Sequence, residues 1–364
     1  MTINVDAYRR LQEHLDKMPV GFPATQSGVE INILKTIFTE EEAKVATYLD
    51  YKHKAVDEIY RLAEGEVESV EALTQILDGI VAKGGISRIT RDDQIQYAVL
   101  PLVLWGMYEQ QLKRLSPDFL LNFGQYFQTE FAAEMATSKV PKMRVIPIEE
   151  SIKVEHHVAT YDELQHLIEQ AGDRIAMQEC ICRKVRDLQG EHCQITDRRE
   201  VCMSLGDLAD LYINEGWGRQ VKQEEALALA AKSVDEGLVL MPANQQEAEF
   251  ICACCTDCCG MLSALKYHPR PVDIVASNFF AKVDPELCTG LGTCVDRCPM
   301  EAVKMEGGLA SVNMARCIGC GLCVPTCAEE AIILEKKEQE MIPPQTEEDF
   351  LELIMADKMA VQSS

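Results

Sequence analysis

Cys317-Ile318-Gly319-Cys320-Gly321-Leu322-Cys323-Val324-Pro325-Thr326-Cys327 is the stretch that decides the fold of this chain. Three thiols at three-residue intervals let one short loop wrap three faces of a compact inorganic centre. Gly319 and Gly321 let the backbone come close to that centre. The same pattern stands 29 residues upstream. There Ala281-Lys282-Val283-Asp284-Pro285-Glu286-Leu287-Cys288 aligns with Ala310-Ser311-Val312-Asn313-Met314-Ala315-Arg316-Cys317. Cys294 aligns with Cys323, Cys298 with Cys327, and Val303 with Ile332, the last two as short strands. The region is therefore an internal repeat. A zinc knuckle also uses Cys-x2-Cys pairs, but not a duplicated run of this kind.

The run Cys-x2-Cys-x2-Cys-x3-Cys, with Pro299 after Cys298 in the other half, resembles bacterial two-cluster ferredoxins. The resemblance implies a βαβ ferredoxin-like domain in which the fourth cysteine of each run serves the other cluster. One [4Fe–4S] cluster would then take Cys298, Cys317, Cys320 and Cys323. The other would take Cys288, Cys294 and Cys327. Here the chain departs from the pattern, because the position matching Cys320 is Leu291. Leucine cannot bind iron. That corner implies a [3Fe–4S] cluster, or a [4Fe–4S] cluster whose fourth iron is labile and held by water or a non-protein ligand; loss of the site is the alternative.

Nine further cysteines lie upstream, and all sixteen fall between residues 180 and 327. Cys180-Ile181-Cys182-Arg183 is followed by His192-Cys193 and by Cys202. Then comes Cys252-Ala253-Cys254-Cys255-Thr256-Asp257-Cys258-Cys259-Gly260. Inert buried cysteine accounts for one or two thiols, not for nine. Each sequence group would hold its own iron–sulfur cluster, or the two together would hold one, with spare thiols nearby. Zinc on Cys180, Cys182, Cys193 and Cys202, or with His192 substituting, is the competing reading. Cys258-Cys259-Gly260 resembles the Cys-Cys-Gly motif of heterodisulfide reductases, without its usual downstream Cys-x2-Cys. His156, His157 and His166 have no ligand spacing and are expected to be satisfied or solvated.

The net charge of −24 repels phosphate backbones and anionic membranes. Residues 1–6 lack a basic segment followed by an apolar one. The nearly apolar run 97–108 is too short to span a bilayer and is interrupted by Pro101 and Gly106. A reducing cytoplasm is the expected compartment, with the cysteines as ligands or thiols and not disulfides.

The first 145 residues carry no cysteine. Ile31, Ile33, Leu34, Ile37 and Phe38 suit one buried helix face. Thr39 and Glu42 form a capping box. Val70, Leu73, Ile76, Leu77, Ile80 and Val81 predict a helix ended by Gly84-Gly85. Residues 86–89 and 95–100 predict strands around a turn at 90–93. Three helices and a hairpin resemble a winged helix. Its candidate recognition helix, 69–83, carries Glu71 and Asp78 against Lys83, which suits protein contact and not DNA. Downstream, 161–171 and 223–236 predict helices, the second closed by Gly237, and 174–177 predicts a strand leading to Cys180. Pro343-Pro344 predicts a linker before a docking helix, 350–360, with Leu351, Ile354 and Met355 inward.

The expected fold is α+β and multidomain. It comprises a winged-helix-like segment (1–145), a mixed α/β cysteine-rich middle domain (146–270), a two-cluster ferredoxin domain (271–340), and a linker with a docking helix (341–364). Taken whole, the chain resembles a loosely characterised family of such proteins from anaerobes. That resemblance implies electron transfer beside a larger oxidoreductase partner. No nucleotide fingerprint is present, since Gly216-Trp217-Gly218 lacks the third glycine. An enzyme acting at an open-corner or poly-cysteine cluster, and a redox-sensing regulator, are the other two expectations.

Overall fold

The computed structural model describes residues 6–148 and 159–362. His156 and His157 lie outside the described residues. The chain divides into two compact units, one of residues 1–140, 214–217 and 348–364, the other of 141–213 and 218–347.

The first unit opens with helices α1 (Ala7–Leu15), α2 (Val29–Ile37) and α3 (Glu40–Ala46). The expected face of α2 is inward, with Ile31, Ile33, Leu34, Ile37 and Phe38 all buried. Thr39 and Glu42 cap α3 reciprocally, each side chain accepting from the other residue's amide. Then follow β1 (Lys54–Ala55), α4 (Val56–Leu62), α5 (Val70–Val81), β2 (Ile86–Arg91) and β3 (Gln94–Val99). The strands pair antiparallel in the order β1-β3-β2. The hairpin turn is tighter than 90–93: only Asp92 and Asp93 lie outside the strands, at φ 52° and 60°. A two-residue turn with both φ positive matches the twist of the flanking strands, and aspartate tolerates that backbone. Helices α6 (Pro117–Phe127) and α7 (Glu130–Met135) complete the run.

The second unit is organised by a five-stranded antiparallel sheet. In chain order its helices and strands are α8 (Leu164–Gln170), β4 (Ile175–Glu179), α9 (Ile181–Leu188), β5 (Glu200–Leu205), α10 (Gly206–Asn214), β6 (Arg219–Gln220), α11 (Gln223–Asp235), β7 (Val239–Pro242), β8 (Phe250–Cys254) and α12 (Gly260–Tyr267). The strand order is β6-β4-β5-β8-β7. The helix expected at 161–171 begins later, at Leu164, after a single 3-10 turn over Thr160–Asp162. Its Leu164, Leu167 and Ile168 are buried as expected. Gly237, at φ 90°, ends the turn after α11.

Continuing the same unit are β9 (Phe279–Val283), α13 (Thr293–Arg297), β10 (Val303–Glu306), β11 (Leu309–Val312) and β12 (Ile332–Lys336). The repeat is βαβ in chain order in its first half only. In the second half, where Pro325 removes an amide donor, turns replace the helix. Pairing is antiparallel and crosses the repeat, β9 with β12 and β10 with β11. This part is fastened to the sheet region within the unit. Arg144 and Asp162 form a buried ion pair at 3.0 Å, and Asn278 donates to the same carboxylate at 2.8 Å. Arg297 donates to the Val234 and Asp235 carbonyls at the end of α11, where a cation suits the negative pole of the helix.

Last comes α14 (Glu347–Gln362), which from Glu348 onward belongs to the first unit. Leu351 and Ile354 are buried there and Met355 is half-buried. Lys52 pairs with Glu352, Lys358 with Glu134 at 2.6 Å, and Asp357 accepts from the Lys139 amide at 2.6 Å. Among the described residues no helix is long and apolar enough to cross a membrane.

Candidate functional site: three sets of thiols

In the repeat region the structure gathers Cys298, Cys317, Cys320 and Cys323 about one partly open pocket, lined also by Ala281, Pro299, Gly319 and Gly321. Cys288, Cys294 and Cys327 gather at the second position, where burial first, and then the neighbouring sulfurs of Cys327 and Cys288, push the Cys294 thiol up. The two-fold repeat is visible bond by bond. The Ala281 amide donates to Cys317 Sγ at 3.3 Å, and the Ala310 amide to Cys288 Sγ at 3.4 Å. The Ala302 amide donates to Cys298 Sγ at 3.2 Å, and the Ala331 amide to Cys327 Sγ at 3.3 Å. Amides aimed at sulfur stabilise thiolates and tune the centre they bind. Gly319, at φ 70°, sits so near the Phe279 carbonyl that a Cβ would fall 2.2 Å from its oxygen; Gly290, at φ 79°, meets the Gly308 carbonyl at 2.3 Å in the same way.

These residues fit iron–sulfur clusters: thiols converge, sulfur-directed amides are present on both sides, and glycine stands wherever a side chain would intrude. Burial pushes the thiols of Cys317 and Cys323 up, and that of Cys320 to about 12. Cluster binding must therefore displace protons that burial otherwise retains. Leu291 does not enter its site. It is 64% exposed and offers no ligand atom to the three-cysteine position.

The nine upstream cysteines do not divide into one set per sequence group; six drawn from both groups come together and three lie apart, the arrangement of the joint grouping with spare thiols. The six form a closed ring in which each sulfur perturbs the ionisation of its neighbours: Cys180, Cys202, Cys252, Cys254, Cys259 and Cys182, the last returning to Cys180. The sheet supplies three. Cys202 on β5 lies opposite Cys252 on β8, and Cys254 is two residues further along β8, on the same face. Helix starts supply the rest. Cys180 is the N-cap of α9 and Cys182 lies in its first turn; Cys259 is the N-cap of α12 and accepts from the Leu262 amide at 3.5 Å. Unpaired amides and the positive pole at a helix start favour a thiolate. Accordingly the two N-cap thiols, Cys180 and Cys259, are held well below the ordinary thiol range, chiefly by hydrogen bonds from their ring neighbours. Cys182, Cys202 and Cys254 are pushed up as the donors of those bonds.

The remaining three, Cys193, Cys255 and Cys258, meet elsewhere, together with Asp257. The zinc set Cys180, Cys182, Cys193 and Cys202 is thus not assembled: Cys193 leaves it for Cys255, with their sulfurs 3.7 Å apart. His192 does not substitute, because its ring is exposed and hydrogen-bonds Asp187 at 2.8 Å. His166 stands half-buried on α8, away from any described thiol set.

Two residues in this region carried no role in the sequence reading. Arg183 is 1% exposed. Its guanidinium donates to the Ala253 carbonyl at 3.3 Å and to Cys255 Sγ at 3.2 Å, and it also bonds Cys193. A buried cation is costly unless paired, and sulfurs of both thiol sets surround it, those of Cys180, Cys255, Cys193 and Cys202. Its proximity in sequence to Cys180 and Cys182 was the available signal. Asp257 stands between Cys255 and Cys258, where its spacing was equally visible.

Residues 280–328 match the family described as the 4Fe-4S dicluster domain. A protein named a probable ferredoxin, from Methanosarcina thermophila, is 50% identical over 34 residues, which cover 9% of this chain and 59% of that protein. The chain therefore spans less than two thirds of that relative's length. No solved structure matches the chain. With the paired amide–sulfur bonds already described, the match assigns the repeat: the chain carries a ferredoxin-type 4Fe-4S dicluster domain at residues 280–328.

Proposed function

We propose that this protein is an electron-transfer subunit that passes single electrons to or from a partner oxidoreductase. Iron–sulfur clusters would supply the one-electron chemistry, a [4Fe–4S] cluster on Cys298, Cys317, Cys320 and Cys323, a second on Cys288, Cys294 and Cys327, and a further one on the six-thiol ring. The observation that carries the reading is the placement of α12. Its N-cap is Cys259, a member of the ring. At its other end Arg316, the neighbour of Cys317, donates to the Lys266 and His268 carbonyls. The helix has 8 residues, a length of about 12 Å. The α12 helix and the Arg316 side chain thus connect the ring to the complete cluster set within one unit, the kind of link that a relay would use.

Cys320→Ala tests this. It is expected to cost the cluster on Cys298, Cys317 and Cys323, leave the three-cysteine site in place, and slow electron passage through the anaerobically purified protein to an added acceptor by at least about tenfold. A variant that relays electrons as the parent does would overturn the relay. Two signals unchanged by the substitution would overturn the ligand set.

The lack of a fourth thiol at the exposed Leu291 favours one second reading, an oxidoreductase whose small substrate would bind at the open iron there. We further infer that helices α3, α4 and α5 with the β2–β3 hairpin form a winged-helix arrangement used for protein contact, not DNA. Asp78 on α5 engages Arg88 at 3.0 Å and the Tyr97 hydroxyl at 2.9 Å, and Glu215 holds Arg88 from its other side at 3.0 Å. Arg88, which meets α5 through Asp78, is thereby neutralised, and the helix itself offers Glu71. No salt-sensitive, sequence-selective gel shift is expected at physiological ionic strength; finding one would promote the regulator.

A further inference from the structure

We propose that Cys193, Cys255, Asp257 and Cys258 form a site for a single tetrahedral zinc ion, separate from every iron–sulfur centre of the chain. The inference deepens the assignment of the upstream cysteines to metal.

The first ground is size. One ligand atom from each of the four residues lies within 4.8 Å of all the others, and Cys193 Sγ is 3.7 Å from Cys255 Sγ. Zinc–sulfur bonds of about 2.3 Å at tetrahedral angles put two thiolates about 3.8 Å apart. The observed separation is the edge of such a shell. A cubane spreads its thiolates much further, because each points radially away from its own iron. The chain supplies its own comparison: Cys298, Cys317, Cys320 and Cys323, which surround the dicluster-domain pocket, do not meet the 4.8 Å limit.

The second ground is an orphaned acceptor. Asp257 Oδ2 accepts from the Gln194 amide at 2.8 Å, which fixes the carboxylate. Oδ1 is buried with no nitrogen or oxygen donor to meet it. Its neighbours are the thiols of Cys255 and Cys193. A buried carboxylate oxygen facing thiols is the environment of a cation ligand.

Charge is the third. Three thiolates and a carboxylate surrounding a divalent ion leave a net −2. The Arg183 guanidinium, bonded to Cys255 and Cys193, reduces this to −1 within a buried site. Sulfur-rich tetrahedral donors select zinc among divalent ions that need no redox change. The ion would tie the loop carrying Cys193 to the turn that ends at Cys259, and so hold the N-cap of α12 in place beside the ring.

The test uses full-length protein purified anaerobically from cells supplied with both iron and zinc. About one zinc per chain is expected, with X-ray absorption at the zinc edge showing three sulfurs at about 2.3 Å and one oxygen near 2.0 Å. Cys258→Ser and Asp257→Asn should each lower zinc affinity at least about tenfold while iron and acid-labile sulfide stay at the parent level. If Cys258→Ser does not fold, the absorption spectrum of the parent protein decides alone. Absence of zinc, a four-sulfur shell, or iron lost in place of zinc from the variants would each overturn the site. Absence of zinc beside full iron would leave the electron-transfer reading standing. Full zinc beside absent iron would do the reverse.

Discussion

Leu291→Cys is expected to raise the iron content by about one atom per chain and to abolish an EPR signal near about g 2.01 in the oxidised protein. The two halves of the repeat are equivalent around this residue. Gly290 and Gly292 have φ of 79° each, against 70° and 79° for Gly319 and Gly321, which flank Cys320. The alanine amides that address Cys288 and Cys317 correspond, as do those that address Cys298 and Cys327. The flanking glycines and the sulfur-directed amides of the complete site are therefore repeated, and the thiol is not. Three thiolates would hold three irons firmly, and the residue at the fourth position is an exposed leucine that cannot bind a fourth. A cysteine there starts from the same left-handed flanks that aim Cys320, so its thiol needs only a side-chain rotation to reach the corner. An oxidised three-iron cluster has an odd electron count and is EPR-active, whereas an oxidised four-iron cluster is silent. Iron analysis with EPR on parent and variant measures both effects. A parent without the signal, together with a variant that gains no iron, would sink the proposal.

The halves of this molecule differ in how much their sequence discloses, and the reason is contact order. Cys317, Cys320 and Cys323 are separated by two residues each on one loop, and the repeat places a matching run upstream, so spacing alone reports most of the geometry. Caps and hairpins are equally local: Thr39 with Glu42, and Asp92 with Asp93, act across at most three residues. The upstream thiols are partitioned by strand register instead. Cys202 joins Cys252 because β5 pairs with β8, across nearly fifty residues that carry no periodic trace of the pairing. Cys193 is drawn from its sequence neighbours because the loop after α9 returns to the Cys255 turn. Neither event leaves a spacing signature, so sequence could offer one cluster per group and one joint cluster with spare thiols as equal alternatives but could not say which thiols would be the spare ones. Arg183 and Asp257 went unassigned for a related reason. A cation or a carboxylate beside cysteines takes on meaning only once its burial is known. The domain boundary expected near residue 270 also has a long-range answer. Arg144, Asp162 and Asn278, buried together, place the sheet region and the repeat in one unit, where sequence composition alone separates them.

The double variant Cys180→Ser/Cys259→Ser should lose about four irons per chain, from a parent content of about 11 or more, while keeping its fold and its zinc. Six thiols exceed the four that one tetrahedral ion accepts, and their closed ring is wider than a single ion's shell, so a polynuclear centre is the occupant they suit. Cys180 and Cys259 are the pair to replace. Both are helix N-caps with nearly identical backbone, φ −73° with ψ 116° and 117°, and both are the thiols most readily ionised. They are the natural anchors. Serine is the appropriate substitute because its hydroxyl caps a helix at least as well as a thiol does, so α9 and α12 keep their starts and stability should change by no more than about 1 kcal/mol. Loss of metal without loss of fold is then read directly, as iron and sulfide counts beside an unchanged far-ultraviolet dichroism spectrum. The ferredoxin-type domain, with its own ligands, should retain about seven irons and its EPR spectrum. Parent protein holding seven irons or fewer would empty the ring of its proposed cluster. So would a double variant that keeps the parent's iron, because the remaining four thiols, three of them pushed up as hydrogen-bond donors, would then have to serve as well without their two anchors.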